Sequence, residues 1–259
     1  MSRTLRGSRV LITGASSGIG RACAEAFSAA GASLVLAARR VDRLKQLAGS
    51  LDTPVHVIEL DVRDRPAVEQ AIEGLPGEWS QIDILVNNAG LAAGLEPLQE
   101  GDPDDWDRMV DTNVKGLLYV TRAVLPGMLA RGRGHVINIG SIAGHQTYPN
   151  GAVYCATKAA VDRITIGLRM DVLGTGVKVS TVDPGLVETE FSVVRFHGDA
   201  DRADQVYTGV RPLSGEDIAE TVVWVASRPP HVQVAEVIVL ASAQASPTMV
   251  HREPAGDSA

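Results

Sequence analysis

The chain has 259 residues, 45% of them hydrophobic and only 4% aromatic, with 26 glycines. That length buries a substantial core, and the composition excludes a fibrous or disordered chain. A net charge of -7 with no basic run to offset it speaks against a nucleic-acid or anionic-membrane surface, so an anionic ligand needs its own local cations and backbone amides. In chain order, a strand at Arg9–Thr13 leads through TGASSGIG into a helix at Ile19–Ala30, with Gly31 placed to close it. A strand at Ser33–Ala37, a helix at Val41–Ser50, a strand at Val55–Glu59 and a helix at Pro66–Gly74 follow, Pro66 suiting a first helical turn. Next come a strand at Ile82–Val86 and a long helix at Asp104–Arg131, in which Pro126-Gly127 predicts a kink or an early end. Strands at His135–Asn138, Val177–Val182 and Glu236–Val239 alternate with helices at Ala152–Leu173 and Glu216–Ser227; Ser214 and Asp217 form a capping-box pattern before the last helix.

Most of the strand runs are Val, Ile and Leu without polar alternation, the pattern of strands buried on both faces. The β-α-β succession therefore predicts an α/β fold: a Rossmann-like, doubly wound, seven-stranded parallel sheet with helices on both faces. No repeat, linker or low-complexity segment divides it, so one domain over 1–259 is expected. Two segments depart from the pattern. A polar insertion at Glu188–Gly209 lies within a loop at about 186–213, and a small, polar tail runs from Ala241 to Ala259, its last residues expected to be mobile. Cys23 and Cys155 have no metal or C-x-x-C spacing and are read as small buried thiols; no metal site is expected. The N-terminus has no apolar segment with a cleavage site, and no apolar run is long enough to span a bilayer, which leaves a reducing cytoplasm as the expected location.

The turn TGASSGIG sits in the first βα connection, where Gly14, Gly18 and Gly20 let the backbone approach a pyrophosphate and the free N–H groups of the helix start face the anion. Strand two ends Ala37-Ala38-Arg39-Arg40, with Ala38 where an NAD-preferring fold carries an acid for the ribose 2′-hydroxyl. Removing that carboxylate and adding Arg39 suits a 2′-phosphate, hence NADP; Arg40 reads either as a second phosphate contact or as a solvated charge entering the helix. Asp61-Val62, ending the third strand, would reach the adenine, Asp61 as a plain loop cap being the other reading.

NNAG at Asn87–Gly90, Asn113 in the long helix, Ser141 after the fifth strand, Tyr154-x-x-x-Lys158 and DPGLVET, together with TGASSGIG, resemble the short-chain dehydrogenase/reductase family over essentially the whole chain. Any one motif is weak, but the ordered set is specific. The resemblance implies a catalytic set of Asn113, Ser141, Tyr154 and Lys158. Tyr154 exchanges the proton, Lys158 lowers the phenol pKa from about 10 and holds the nicotinamide ribose, Ser141 holds the substrate oxygen, and Asn113 organises a water-linked proton path. It also implies NADP(H) contacts from Gly14, Ser16, Ser17, Gly18, Ile19 and Gly20 at the phosphates. Arg39, Arg40, Asp61 and Val62 would serve the adenosine end, and Asn88, Ala89 and Gly90 would run along the cofactor. Pro184, Gly185, Val187 and Thr189 would cover the nicotinamide. Within the family the chain looks most like the NADP-dependent 3-hydroxy acid dehydrogenases, relatives of which are commonly homotetramers.

A 3-hydroxy acid is an anion, so the pocket requires a cation. Arg195 in the insertion is the candidate, an exposed arginine or one paired with Asp199 or Asp201 being the alternative. Ser141, Gln146 and Tyr154 complete the expected substrate contacts, with His145 and Tyr148 expected along the same pocket. A reductase of bulkier ketones or aldehydes keeps the same catalytic set without needing Arg195. A non-enzymatic NADP sensor would have no use for a proton donor.

Overall fold

The computed structural model describes residues 4–253. Seven strands form one parallel sheet in the order β3-β2-β1-β4-β5-β6-β7: β1 Arg9–Thr13, β2 Ser33–Ala38, β3 Val55–Glu59, β4 Ile84–Asn87, β5 Gly134–Ile139, β6 Val177–Pro184 and β7 Glu236–Val239. The order reverses between β1 and β4, and this is where an open α/β sheet leaves a crevice at its strand ends.

Side chains alternate across each strand, and in the central strands β1, β2 and β4 both sets are largely apolar. Val10, Ile12, Leu34, Leu36 and Val86 belong to one core cluster with Phe27 of α1 (Gly18–Ala29) and with Ile218 and Val222. Leu11, Val35, Leu85 and Val136 belong to the other, with Val120, Val124 and Met128 of α5 (Leu117–Ala130). A sheet covered on both faces has no polar alternation to show, which accounts for the unbroken apolar runs.

Helix ends follow local chemistry. Gly31 adopts φ +83°, and the N–H groups of Gly31 and Ala32 return to the carbonyls of Ser28 (2.8 Å) and Phe27 (3.0 Å), the Schellman closure of α1. α2 spans Val41–Gly49, and α3 (Arg65–Glu73) starts with Pro66 in its first turn and Asp64 accepting from the Ala67 N–H. α10 (Gly215–Ala226) has both halves of the Ser214–Asp217 capping box.

The long helix differs from expectation. α4 (Pro103–Val110) passes into a π-helical stretch at Asp111–Gly116 before α5, and α5 then continues through Pro126 to Ala130 with no early end. Pro126 and Arg122 are both exposed, so the carbonyl deprived of its partner faces water and the helix persists. The short α6 (Ile142–His145), α7 (Ala152–Asp171), α8 (Phe191–Arg195) and α9 (Ala200–Gln205) complete the helices. No helix among the described residues is long and apolar enough to cross a membrane.

The described part of the tail is packed against the rest of the chain. Residues 241–253 pack back on the insertion: Gln244 Oε1 accepts from the Leu186 N–H (2.8 Å), the Arg252 guanidinium donates to the carbonyls of Thr208 and Val206, and the Glu253 N–H donates to Gly209. The expected mobile end falls at 254–259, outside the described residues.

Candidate active site

A cavity of about 500 Å3 lies over the C-terminal strand ends and runs from the phosphate turn to Tyr154 and Lys158. Its size is that of a ligand pocket. Gly14, Ser16, Ser17, Gly18 and Ile19 line one end, and Arg39, Arg40, Asp61 and Val62 border the adenosine side. Asn88, Ala89 and Gly90 line its length, while Ser141, Tyr154 and Lys158 meet Pro184, Gly185, Val187 and Thr189 around the other end. Four expected residues lie off this wall, His145 among them. Gly20 is a packing glycine, because a Cβ there would collide with the Gly14 carbonyl and the Asn88 amide. Asn113 is buried behind Gly90. Gln146, expected at the substrate, is exposed at the end of α6 and does not line the cavity.

The phosphate turn is shaped by close approach. Gly14 has φ +67°, and a Cβ there would sit 2.9 Å from the Ala89 Cα; Gly18 has φ +51° and faces Thr189. Asn88 braces the turn through the Thr13 carbonyl (2.9 Å) and the Thr13 hydroxyl (3.1 Å). At Gly90 an added Cβ would lie 3.2 Å from Asn113 Oδ1 and 3.7 Å from Lys158 Nζ. Bare backbone at these points leaves an open trough from the N-terminus of α1 to Tyr154 and Lys158.

The arginines divide the adenosine end. Arg40 is spent on protein: it donates to Ser17 (2.7 Å), Ser16 (3.2 Å) and Glu190 (2.8 Å), and Arg43 holds the other Glu190 oxygen at 2.6 Å. Arg63 engages both oxygens of Asp61 and holds its carboxyl below the usual range. Arg39, beside the buried Ala38, makes no hydrogen bond or ion pair among the described residues.

At the reaction end the tyrosine is buried, which pushes its pKa well above the ordinary phenol value. The neighbouring Tyr148 adds to that rise, while Arg195 and a hydrogen bond with Ser141 oppose it. Lys158 is not among the groups acting on Tyr154: its Nζ donates to the Ile139 carbonyl (2.9 Å), and burial lowers it to about 8 against the pull of Asp183. The expected lowering of the phenol by the lysine is thus not seen, because desolvation dominates both groups. Ser141 caps α6, its Oγ accepting from the Ala143 N–H (3.1 Å). Asn113 sits in the π stretch with its side chain committed, accepting from the Leu91 N–H and donating to the Leu91 carbonyl (2.8 Å each) and to Thr157 (3.0 Å). Any part it takes in proton transfer falls to its backbone. Such stretches interrupt the carbonyl ladder and recur at functional sites.

Sequence and structure fall into register with known proteins at this point. The profile of the family described as short chain dehydrogenase matches residues 8–199. The chain is a short-chain dehydrogenase. This dehydrogenase is 48% identical over 245 residues to the NADP-dependent 3-hydroxy acid dehydrogenase YdfG of Salmonella typhi, covering 94% of this chain and 99% of that one. It is 48% identical over 239 residues to sulfoacetaldehyde reductase 2 of Chromohalobacter salexigens, covering 91% and 95%. Among solved structures it superposes on the closed form of serine dehydrogenase complexed with NADP+ with a TM-score of 0.91 at 46% identity, covering 95% of this chain and all of that one.

Arg195 of the dehydrogenase enters the cavity from α8. Its guanidinium carbon stands 5.0 Å from the Tyr154 ring, 5.4 Å from Phe191 and 5.6 Å from Tyr148, whose hydroxyl it engages. Neither Asp199 nor Asp201 pairs with it: Asp199 caps α9, and Arg195 Nε is buried without a partner among the described residues. The sequence reading missed Gln244, Pro247, Val250 and Arg252 of the C-terminal segment, which also line the cavity. Nothing in their spacing marked them, since the segment has no strand or helix period. His145 faces away from the cavity, toward Asp162, Asp183 and Glu236.

Proposed function

We propose that this dehydrogenase interconverts the hydroxyl of a small 3-hydroxy acid and the corresponding semialdehyde, using NADP(H). The observation that carries the substrate class is Arg195, a half-buried guanidinium with no carboxylate partner among the described residues, set among aromatic walls at the tyrosine end of the cavity. A cation so placed beside Tyr154 can receive an anion, and a carboxylate matches its bidentate geometry. The NADP preference rests on Arg39, which stands beside Ala38 with no hydrogen bond or ion pair among the described residues, its charge felt by Asp61, while Arg40 serves Glu190.

When bound, the nicotinamide accepts the hydride in oxidation and supplies it in reduction. Tyr154 exchanges the proton with the substrate oxygen; its raised pKa keeps the phenol protonated and ready to donate in the reducing direction. Ser141, bonded to Tyr154, holds that oxygen in place, and Arg195 fixes the acid end. Lys158 supplies positive charge beside the site through its ammonium at neutral pH, below its value of about 8. A sulfonate aldehyde is the second reading, favoured by the sulfoacetaldehyde reductase relative and by the same guanidinium. The soluble form expected is a homotetramer in the cytoplasm.

The test is steady-state turnover with NADP(H) and NAD(H) over 3-hydroxy acids, malonic semialdehyde, sulfoacetaldehyde and uncharged ketones. NADPH is expected to be preferred and anionic substrates favoured, with Arg195→Met raising KM for them by about 10- to 100-fold, the worth of a charge-assisted hydrogen bond. Equal use of NADH overturns the role of Arg39. Activity confined to uncharged ketones overturns that of Arg195.

A further inference from the structure

His145 lies one residue beyond the closest approach of α6 to α7: a Cβ on Gly144 would sit 2.9 Å from the backbone carbonyl of Lys158. Its ring bridges three elements. Nε2 is 3.1 Å from Asp183 Oδ2 of β6 and 3.6 Å from Glu236 Oε1 of β7, while Nδ1 is 3.6 Å from Asp162 Oδ2 of α7. Asp183 and Asp162 are buried, at 1% and 5% exposure, so neither can turn to water for neutralisation. Asp183 Oδ1 has no hydrogen-bond partner among the described residues.

Nε2 is hydrogen-bonded to Asp183, while Asp162 and Glu236 stand at 3.6 Å, just outside hydrogen-bond reach, so three acids surround the ring and favour its charged form, the imidazolium with hydrogen on both nitrogens. A metal ion would instead take one nitrogen by its lone pair and leave the carboxylate facing the other unserved. The geometry therefore favours the protonated ring over a cation site.

We propose that His145, as an imidazolium clamped between Asp162, Asp183 and Glu236, is a positioning residue that anchors α6, and with it Ser141, while balancing the Asp183 charge felt by Lys158. The mechanical link is short: Ser141 caps the N-terminus of α6, and His145 is the last residue of that four-residue helix. The electrostatic link runs through Asp183, whose charge acts on Lys158. Arg163, exposed and 3.5 Å from Asp162, is the remaining charge facing the cluster. Burial works against the charged ring, but the Asp183 hydrogen bond and the charges of Asp162, Asp183 and Glu236 together lift its pKa above the ordinary 6.5. The His145 charge is present below pH 6.5 and is lost as pH rises through that lifted value, while burial pushes Asp183 up to about 6, so the paired charges coexist at about pH 6.5 and weaken on the acid side as Asp183 takes a proton.

The catalytic half of the proposal rests on the assignment of Ser141 and Lys158 above; the protonation half does not. Nitrogen-15 NMR of the His145 ring in the wild-type protein, assigned against a His145→Gln control, should show both nitrogens protonated at pH 6.5, with the proton released only at higher pH. In the same pair, His145→Gln should lower kcat for NADPH-driven reduction by about 10-fold at pH 6.5, as slight misplacement of a catalytic group does. NADPH affinity should be unchanged, the gap should narrow as pH rises, and His145→Lys should restore part of kcat. A neutral ring at pH 6.5, a kcat gap that does not change with pH, or a Tm rise with Mn2+ or Zn2+ that His145→Gln abolishes would each overturn it, the last by showing a cation site. If the wild type turns over none of the substrate panel, the functional assignment fails while the NMR result still decides the state of His145.

Discussion

Tyr154 and Lys158 sit one helical turn apart on α7, yet burial treats them in opposite senses. It favours the neutral phenol by raising one pKa and the neutral amine by lowering the other to about 8. The site therefore holds a protonated acid beside a cation whose charge fades in mildly alkaline solution. Replacing the phenol removes the proton and little else, because the hydroxyl's partner is Ser141 and its ring packs edge-on to Phe191 at 5.6 Å. Tyr154→Phe should lower kcat by about 10²- to 10⁴-fold, the span of general acid–base catalysis, with NADPH affinity by fluorescence titration unchanged; near-full turnover would remove Tyr154 as the acid. These two residues were legible because their spacing and order were. Gln146 and His145 were not: both lie between Ser141 and Tyr154, but the end of α6 turns one to solvent and the other to Asp183, and chain order carries no direction.

Among the elements, β1, β3 and β7 fall where their Val- and Ile-rich runs placed them: β1 is buried along its length, and the edge strands β3 and β7, though partly exposed, keep the β-branched composition of strands. The π stretch at Asp111–Gly116 did not show. Its DTNVKG sequence holds no proline and only a terminal glycine, and its irregular ladder goes with tertiary contacts: Asn113 tied to Leu91, and Gly116 packed so closely on Val62 that a Cβ would lie 2.6 Å from a Val62 methyl. Capping, by contrast, is local chemistry and was readable. Ser214 takes the Asp217 N–H at 3.3 Å, and the Asp217 carboxylate takes the Ser214 N–H at 2.8 Å. Since α10 packs on α1 behind the phosphate turn, the cap steadies the cofactor end. Ser214→Ala should cost about 1 kcal/mol, seen as a Tm lower by about 2–4 °C with kcat unchanged; an unaltered Tm would mean the cap contributes nothing.

At the scale of the molecule, apolar side chains stand exposed on the outer helices and the last strand. Leu118 is 42% exposed on α5, Met170 70% on α7, and Trp224 and Ile238 lie open on α10 and β7. These side chains are where the homotetramer proposed above would find apolar contacts. Light scattering after size exclusion should give four times the mass of the chain, and a monomer mass at micromolar concentration would refute the assembly. The cavity is also a whole-molecule product. Gly14 belongs to the first strand-to-helix turn, while Gln244 and Arg252 come after β7 and reach the insertion that carries Arg195. During synthesis the phosphate turn emerges first, and the segment that ties down the substrate wall follows only after every strand of the sheet. A nascent chain therefore holds a cavity open on one side, and competence arrives only with the residues that follow β7.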